Sequence, residues 1–265
     1  MRMSALLAFA LLASVPVSAP AEIAKVNGVE LHYTVRGAGE PLLLLHGFGG
    51  CAGTWDSIAE RLAHDYRLIL VDMRGHGQST NPSGKFTHAQ SADDIRALLD
   101  VLGINRVRAV GFSSGGMTLL HLATSAPNRL SKMVVVSATT HFPDQARAIL
   151  RAATVETMPP PVIEMYRQCA SRGDDQIRSL VGEFRAFGDD HDDMEFKPTD
   201  LAKIKASTLI IHGDRDEFFP VSIPVAMYQS IPRAQLWIVP GGSHSPTAGA
   251  RESAFITELE NFLRN

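Results

Sequence analysis

The chain has 265 residues, 45% hydrophobic and 20% charged, with a formal charge of −3. That is globular composition with enough apolar residues for a large core. No basic block interrupts it, so there is no electrostatic footprint for nucleic acid.

Residues 1–21 read as a signal peptide. Arg2 supplies a positive start, an apolar run extends from Ala5 to Val17, and Ala19-Pro20-Ala21 fits a small-residue cleavage site before Glu22. The run is shorter than the roughly 20 apolar residues a membrane span needs, and Pro16 interrupts it. The expectation is export and cleavage to a periplasmic or secreted protein, with no stable span afterwards. Removing Arg2 from the 25 basic residues leaves 24 against 28 acidic ones, a net −4 for residues 22–265. Two cysteines, Cys51 and Cys169, are no disulfide framework. An exported chain can pair them, but the expected state is two buried free thiols.

The segment IAKVNGVELHYTVRG alternates apolar residues on either side of Asn27-Gly28, a hairpin signal. Continuous apolar runs follow at 41–47, 67–72, 106–112, 132–138, 207–213 and 234–242, as expected of strands buried on both faces. Helical patterns fill the gaps. Ile95, Leu98, Leu99 and Leu102 are helically spaced, with Ser91 as N-cap and Gly103 as stop. Phe255, Leu259 and Phe262 share one face of a closing helix. Strands alternating with helices predict an α/β fold, with a mainly parallel sheet covered on both sides. Nearly 70 residues separate Ala138 from Ser207, more than one crossover helix needs. A helical cap insertion is expected there, from about Phe142 to Pro198.

The loop HGFGGCA admits two readings. Gly47, Gly49 and Ala52 match a loose dinucleotide pattern, with Asp72 ending the next strand where an acidic residue would hold a ribose. A hairpin precedes this strand, and the leader directs the chain away from the cytosolic cofactor pool; both weigh against that reading. Alternatively, backbone N–H groups after a strand can face a developing negative oxygen.

That second reading needs a nucleophile. GFSSG, residues 111–115, has the form G-x-S-x-G between a strand and a helical segment. In a sharp strand-to-helix turn glycine relieves crowding around the serine, whose hydroxyl is exposed beside a helix N-terminus. The register selects Ser113, with Ser114 as the residue whose N–H serves an anion. A serine needs a base held by an acid. Of ten histidines, His244 lies in a loop after the last apolar strand. His46 and His76 sit in glycine loops and read as structural, and His88 and His121 have no convincing setting. Asp214, Asp216 and Asp72 are the candidate acids.

Together LLLLHGFGG, LVDMRGHGQST, VGFSSGG, IIHGDRDEFFP and PGGSHSP resemble the successive signature segments of the α/β-hydrolase family. The resemblance runs over nearly all of 22–265, in the order nucleophile, acid, histidine. It implies an eight-stranded, mostly parallel sheet with an N-terminal hairpin and a small helical cap. It also implies a serine esterase-like enzyme with the catalytic triad Ser113, Asp216 and His244, an oxyanion hole from the backbone N–H groups of Phe48 and Ser114, and no cofactor or metal. Asp214 and Asp72 become turn residues, and RGHGQS a structural turn. Phe142, Phe218 and Phe219 flank the expected site, as an apolar acyl pocket or as core. The acidic run GDDHDD, 188–193, reads as a solvated loop and not a metal site. The substrate expected is a small carboxylic ester. The alternative is the same machinery with a lactone, an amide or peptide, or a carbon–carbon bond beside a ketone as its substrate, and a third possibility is a catalytically idle binding protein.

Overall fold

The computed structural model describes residues 22–265, so the expected leader at 1–21 lies outside the described residues. Its strands are β1 (Glu22–Val26), β2 (Val29–Arg36), β3 (Glu40–Leu45), β4 (Tyr66–Val71), β5 (Val107–Phe112), β6 (Leu130–Val136), β7 (Ser207–Gly213) and β8 (Ala234–Val239). They form one sheet in the order β1-β2-β4-β3-β5-β6-β7-β8. β1 pairs antiparallel with β2, and β2 antiparallel with β4; every later pair is parallel. Asn27 and Gly28 turn the hairpin with φ of 45° and 77°, the left-handed pair a two-residue turn requires.

The apolar runs are continuous because both faces are covered. In β3, Leu43 and Leu45 enter one core, Leu42 and Leu44 the other, and all four are fully buried. Helices α1 (Asp56–Leu62) and α9 (Glu252–Arg264) cover the second face. The first is covered by α2 (His88–Val101), α3 (Ser114–Ser125) and α8 (Ser222–Ser230), together with the long segment between β6 and β7. That segment holds α4 (Asp144–Ala152), α5 (Pro160–Cys169), α6 (Gly173–Ala186) and the single turn α7 (Pro198–Leu201).

The N-cap of α2 is Thr87, whose hydroxyl accepts from the Gln90 N–H at 3.1 Å, and not Ser91, which is buried one turn inside. Thr87 has the extended backbone an N-cap needs, and Ser91 is already helical. At the other end Gly103 (φ 67°) stops the helix, while the Ile104 N–H reaches back to the Leu99 carbonyl.

Cys51 and Cys169 form a disulfide, against the expectation of free thiols. The end of α5 folds onto the loop after β3 and brings the Cα atoms to 5.4 Å, within bridging range. A helix of the inserted segment is thereby fastened to the HGFGGC loop.

Candidate active site

The turn between β5 and α3 forces Ser113 to φ 50°, ψ −117°, a strained conformation for a residue with a side chain. Its N–H donates to the Val136 carbonyl at 2.8 Å, and its carbonyl accepts from the Met117 N–H at 2.9 Å, so both sides are held. Glycine is needed on both flanks, for different neighbours. A Cβ on Gly111 would fall 2.5 Å from Gly115 and Gly116 backbone atoms, and one on Gly115 would fall 2.2 Å from the Leu45 carbonyl oxygen. The second glycine thus lets α3 start against the end of β3, not merely against Gly111.

His244, in the loop after β8, brings Nε2 to 3.0 Å from Ser113 Oγ and Nδ1 to 2.9 Å from Asp216 Oδ2. Asp216 is buried in the loop after β7, and its other oxygen accepts from the N–H groups of Phe218 (2.8 Å) and Phe219 (3.1 Å). Burial pushes the Asp216 carboxyl up. The hydrogen bond and charge of His244 and the Phe218 N–H outweigh it, and the group lies below its ordinary range. An ionised Asp216 requires Nδ1–H on His244, which turns the Nε2 lone pair toward the serine hydroxyl. Asp214 is exposed, with no side-chain hydrogen bond found among the described residues, so it neither serves this site nor braces the turn.

Phe48 and Ser114 flank Ser113 from the β3 loop and the start of α3. Neither N–H finds an acceptor among the described residues, so both are available to an incoming anion. The loop that carries Phe48 is fixed by His46. Its Nε2 accepts from the Met73 N–H at 3.0 Å, so Nδ1 bears the proton and donates to the Gly47 carbonyl at 2.7 Å. Burial lowers the His46 basicity, as it does that of His76, whose ring stands edge-on to Phe48 at 4.6 Å. Both histidines are structural here. Asp72, read by one pattern as a ribose ligand, instead accepts from the Ala52 N–H (2.7 Å) and the Gln78 N–H (2.8 Å). Its two oxygens tie the β3 loop to the RGHGQS turn.

Phe218 borders His244 with ring centres 4.8 Å apart and meets Phe184 of α6 at 6.3 Å. Phe184 in turn lies 5.6 Å from Phe48. Phe142 is buried, stacked on Phe187 at 5.6 Å and 6.4 Å from Phe219. Phe142, Phe184 and Phe187 of the inserted segment thus join Phe48 and Phe218, from the loops after β3 and β7, in one aromatic cluster, with Phe218 against the His244 ring and Phe142 deeper in the core.

Two residues with no assigned role in the sequence stand against this cluster. His88 is fully buried at the start of α2, and its Nε2 lies 3.0 Å from Ser114 Oγ. Its Nδ1 lies 2.6 Å from Asp193 Oδ2. Asp193 belongs to the acidic run read as solvated, and that reading fails for it: it is 7% exposed. The rest of the run is spent locally. Asp190 accepts from the N–H groups of Asp192 and Asp193, and Asp189 pairs with Arg151. Burial pushes the Asp193 carboxyl up. The hydrogen bond and charge of His88, with the N–H groups of His88 and Ala89, carry it down to about 2. The available signal was that Asp193 directly precedes the apolar, buried Met194.

The family model for the α/β-hydrolase fold matches residues 40–167. A Mycobacterium bovis protein of uncharacterised function is 36% identical over 113 residues, 43% of this chain and 33% of that protein. The chain thus matches only about a third of the length of that relative. A pimeloyl-acyl-carrier-protein methyl ester esterase of Vibrio vulnificus is 25% identical over 88% of this chain and 95% of its own. A hydrolase from Pseudomonas aeruginosa superposes with a TM-score of 0.75 and 26% identity, covering 92% of this chain and 98% of that one. Strand order, serine turn and matched segment agree, and the chain has the α/β-hydrolase fold.

Proposed function

We propose that the protein is a serine hydrolase that cleaves carboxylic esters through an acyl-enzyme. The observation that carries this is the hydrogen-bonded chain Ser113–His244–Asp216, with the serine on a strained turn at the start of α3. Ser113 Oγ attacks the ester carbonyl carbon while its proton passes to His244 Nε2. Asp216 holds the imidazolium, and the N–H groups of Phe48 and Ser114 take the oxyanion. Collapse breaks the C–O bond, and His244 returns the proton to the leaving alcohol. A water that gives its proton to His244 then attacks the acyl carbon and frees Ser113. Serine, imidazole and oxyanion donors complete this cycle, so the reading calls for no metal or cofactor.

Phe218, Phe184 and Phe48 give the acyl side of the substrate an apolar surface. Similarity to a methyl ester esterase supports the ester reading. The Cys51–Cys169 bridge supports export to an oxidising compartment.

The test is a hydrolysis screen of p-nitrophenyl esters of rising chain length, alongside lactones and aminoacyl amides. We expect ester turnover with preference for small apolar acyl groups, unchanged by dialysis against a chelator. Turnover confined to the lactones or amides would move the substrate class. Loss on chelation with recovery on adding a divalent ion would sink the mechanism.

A further inference from the structure

The molecule contains a second Ser–His–Asp chain, one residue along from the first. Ser114 Oγ lies 3.0 Å from His88 Nε2, and His88 Nδ1 lies 2.6 Å from Asp193 Oδ2. The carboxylate is also held by the N–H groups of His88 (2.7 Å) and Ala89 (3.1 Å), the first residues of α2. Its own backbone carbonyl accepts from His121 Nε2 at 2.7 Å. We infer that this chain is a positioning device for the oxyanion hole, which locks the start of α3 so that the Ser114 N–H is aimed at the developing charge. The inference rests on the hydrolase reading above.

Three observations support positioning over a second nucleophile. Ser114 is 3% exposed and His88 0%, behind the rings of Phe86, Phe142 and Phe187. Ser114 has helical backbone and lacks the left-handed φ that presents Ser113. An ionised Asp193 accepts from His88 Nδ1–H, and the hydrogen bond between His88 Nε2 and Ser114 Oγ fixes the rotamer of the hydroxyl.

The geometry of α3 shows what is being locked. Ser114 and His121 are seven residues apart, two turns along one face of the helix. Both lead to Asp193, one through His88 and one directly. A helix held at two points on one face can neither slide along its axis nor roll. Asp193 lies between α6 and α7, so the inserted segment reaches the oxyanion hole through two hydrogen bonds. A buried polar chain is a costly way to fill space that apolar residues would fill as well. Its placement directly under the residue that would hold the oxyanion gives that cost a function, since a misaligned donor loses most of its effect in the transition state.

The experiment measures inactivation of the full chain by a p-nitrophenyl phosphonate ester, with peptide mapping of the adduct and a thermal midpoint for each variant. In that step the Ser113 Oγ–P bond forms, the P–O bond to p-nitrophenolate breaks and the serine proton goes to His244. The developing negative oxygen on phosphorus needs the same hole. We expect Ser114→Ala and Ser114→Cys to slow inactivation about tenfold, because one donor is misaligned and not deleted. Cysteine keeps the size of serine but is a weak hydrogen-bond donor. Ser114→Thr, which restores the hydroxyl, should stay within about threefold of wild type, and all three should keep the wild-type thermal midpoint to within a few degrees. A merely packed Ser114 predicts a cysteine variant as fast as wild type, and that result would overturn the inference. So would wild-type rates for both Ala and Cys, loss of rate only in step with loss of fold, or a phosphonate adduct on Ser114 in Ser113→Ala. A wild-type protein that takes no label would overturn the hydrolase reading and this inference together. A wild type labelled on Ser113, with variants of equal rate, would overturn this one alone.

Discussion

Ser113→Ala should lose roughly 10⁴ to 10⁶-fold in kcat against the best p-nitrophenyl ester while the protein stays folded. The hydroxyl is the only atom removed. Its partners, His244 Nε2 at 3.0 Å and the free N–H groups of Phe48 and Ser114, remain in place. What survives should be the weak catalysis those N–H groups give to water attack. KM should rise toward the dissociation constant of the ester, because the acyl-enzyme whose accumulation lowers it in the wild type no longer forms. Circular dichroism and a thermal midpoint would check the fold, and removing a strained side chain from φ 50° gives no reason for destabilisation. If Ser114→Ala proved to be the dead variant instead, the register of the turn would be wrong, and with it the assignment of both serines.

Asp216→Asn should cost on the order of 10⁴-fold in kcat. An amide at this position can present N–H to His244 Nδ1 and so favour the wrong tautomer, with the lone pair turned away from Ser113. It also removes the charge that stabilises the imidazolium. The Phe218 and Phe219 N–H groups, which hold Asp216 Oδ1 at 2.8 and 3.1 Å, would keep the side chain oriented, so the loss is electronic and not positional. Asp214→Asn is the internal control. That residue is exposed and does not touch His244, so its variant should stay within a few-fold of wild type. Equal losses in the two folded variants would leave the acid unassigned, and a larger loss for Asp214→Asn would transfer the role.

What the sequence made legible was whatever repeats locally. Leu42 to Leu45 read as a strand buried on both faces because four consecutive apolar residues require cover on each side, and the structure buries all four. Ser113, Asp216 and His244 each sit just past an apolar run, where an α/β sheet gathers its functional loops. The glycines around Ser113 announce a crowded turn in their own right, although the atoms that crowd Gly115 belong to Leu45 and His46, about 70 residues away at the end of β3.

The rest depends on contacts between distant parts of the chain. His88 and Asp193 are 105 residues apart and acquire meaning only when the segment between β6 and β7 folds back on α2. Locally, Asp193 is the last of several acidic residues and looks solvated. Cys51 and Cys169 are 118 residues apart, and nothing around either one reveals the other. Ser91 was a reasonable cap by residue type, but Thr87, four residues earlier, has the extended backbone a cap needs.

The central claim, that Ser113 forms an acyl-enzyme, is tested most directly by trapping that intermediate. The wild-type protein would be mixed with its best p-nitrophenyl ester, quenched in acid during the first turnovers and mapped by mass spectrometry. Because p-nitrophenolate leaves readily, acylation should outpace deacylation, and the account predicts one acyl group per chain on the peptide containing Ser113, matched by a burst of one equivalent of p-nitrophenolate. An acyl group on Ser114 or any other residue, or steady hydrolysis with neither burst nor adduct, would contradict it.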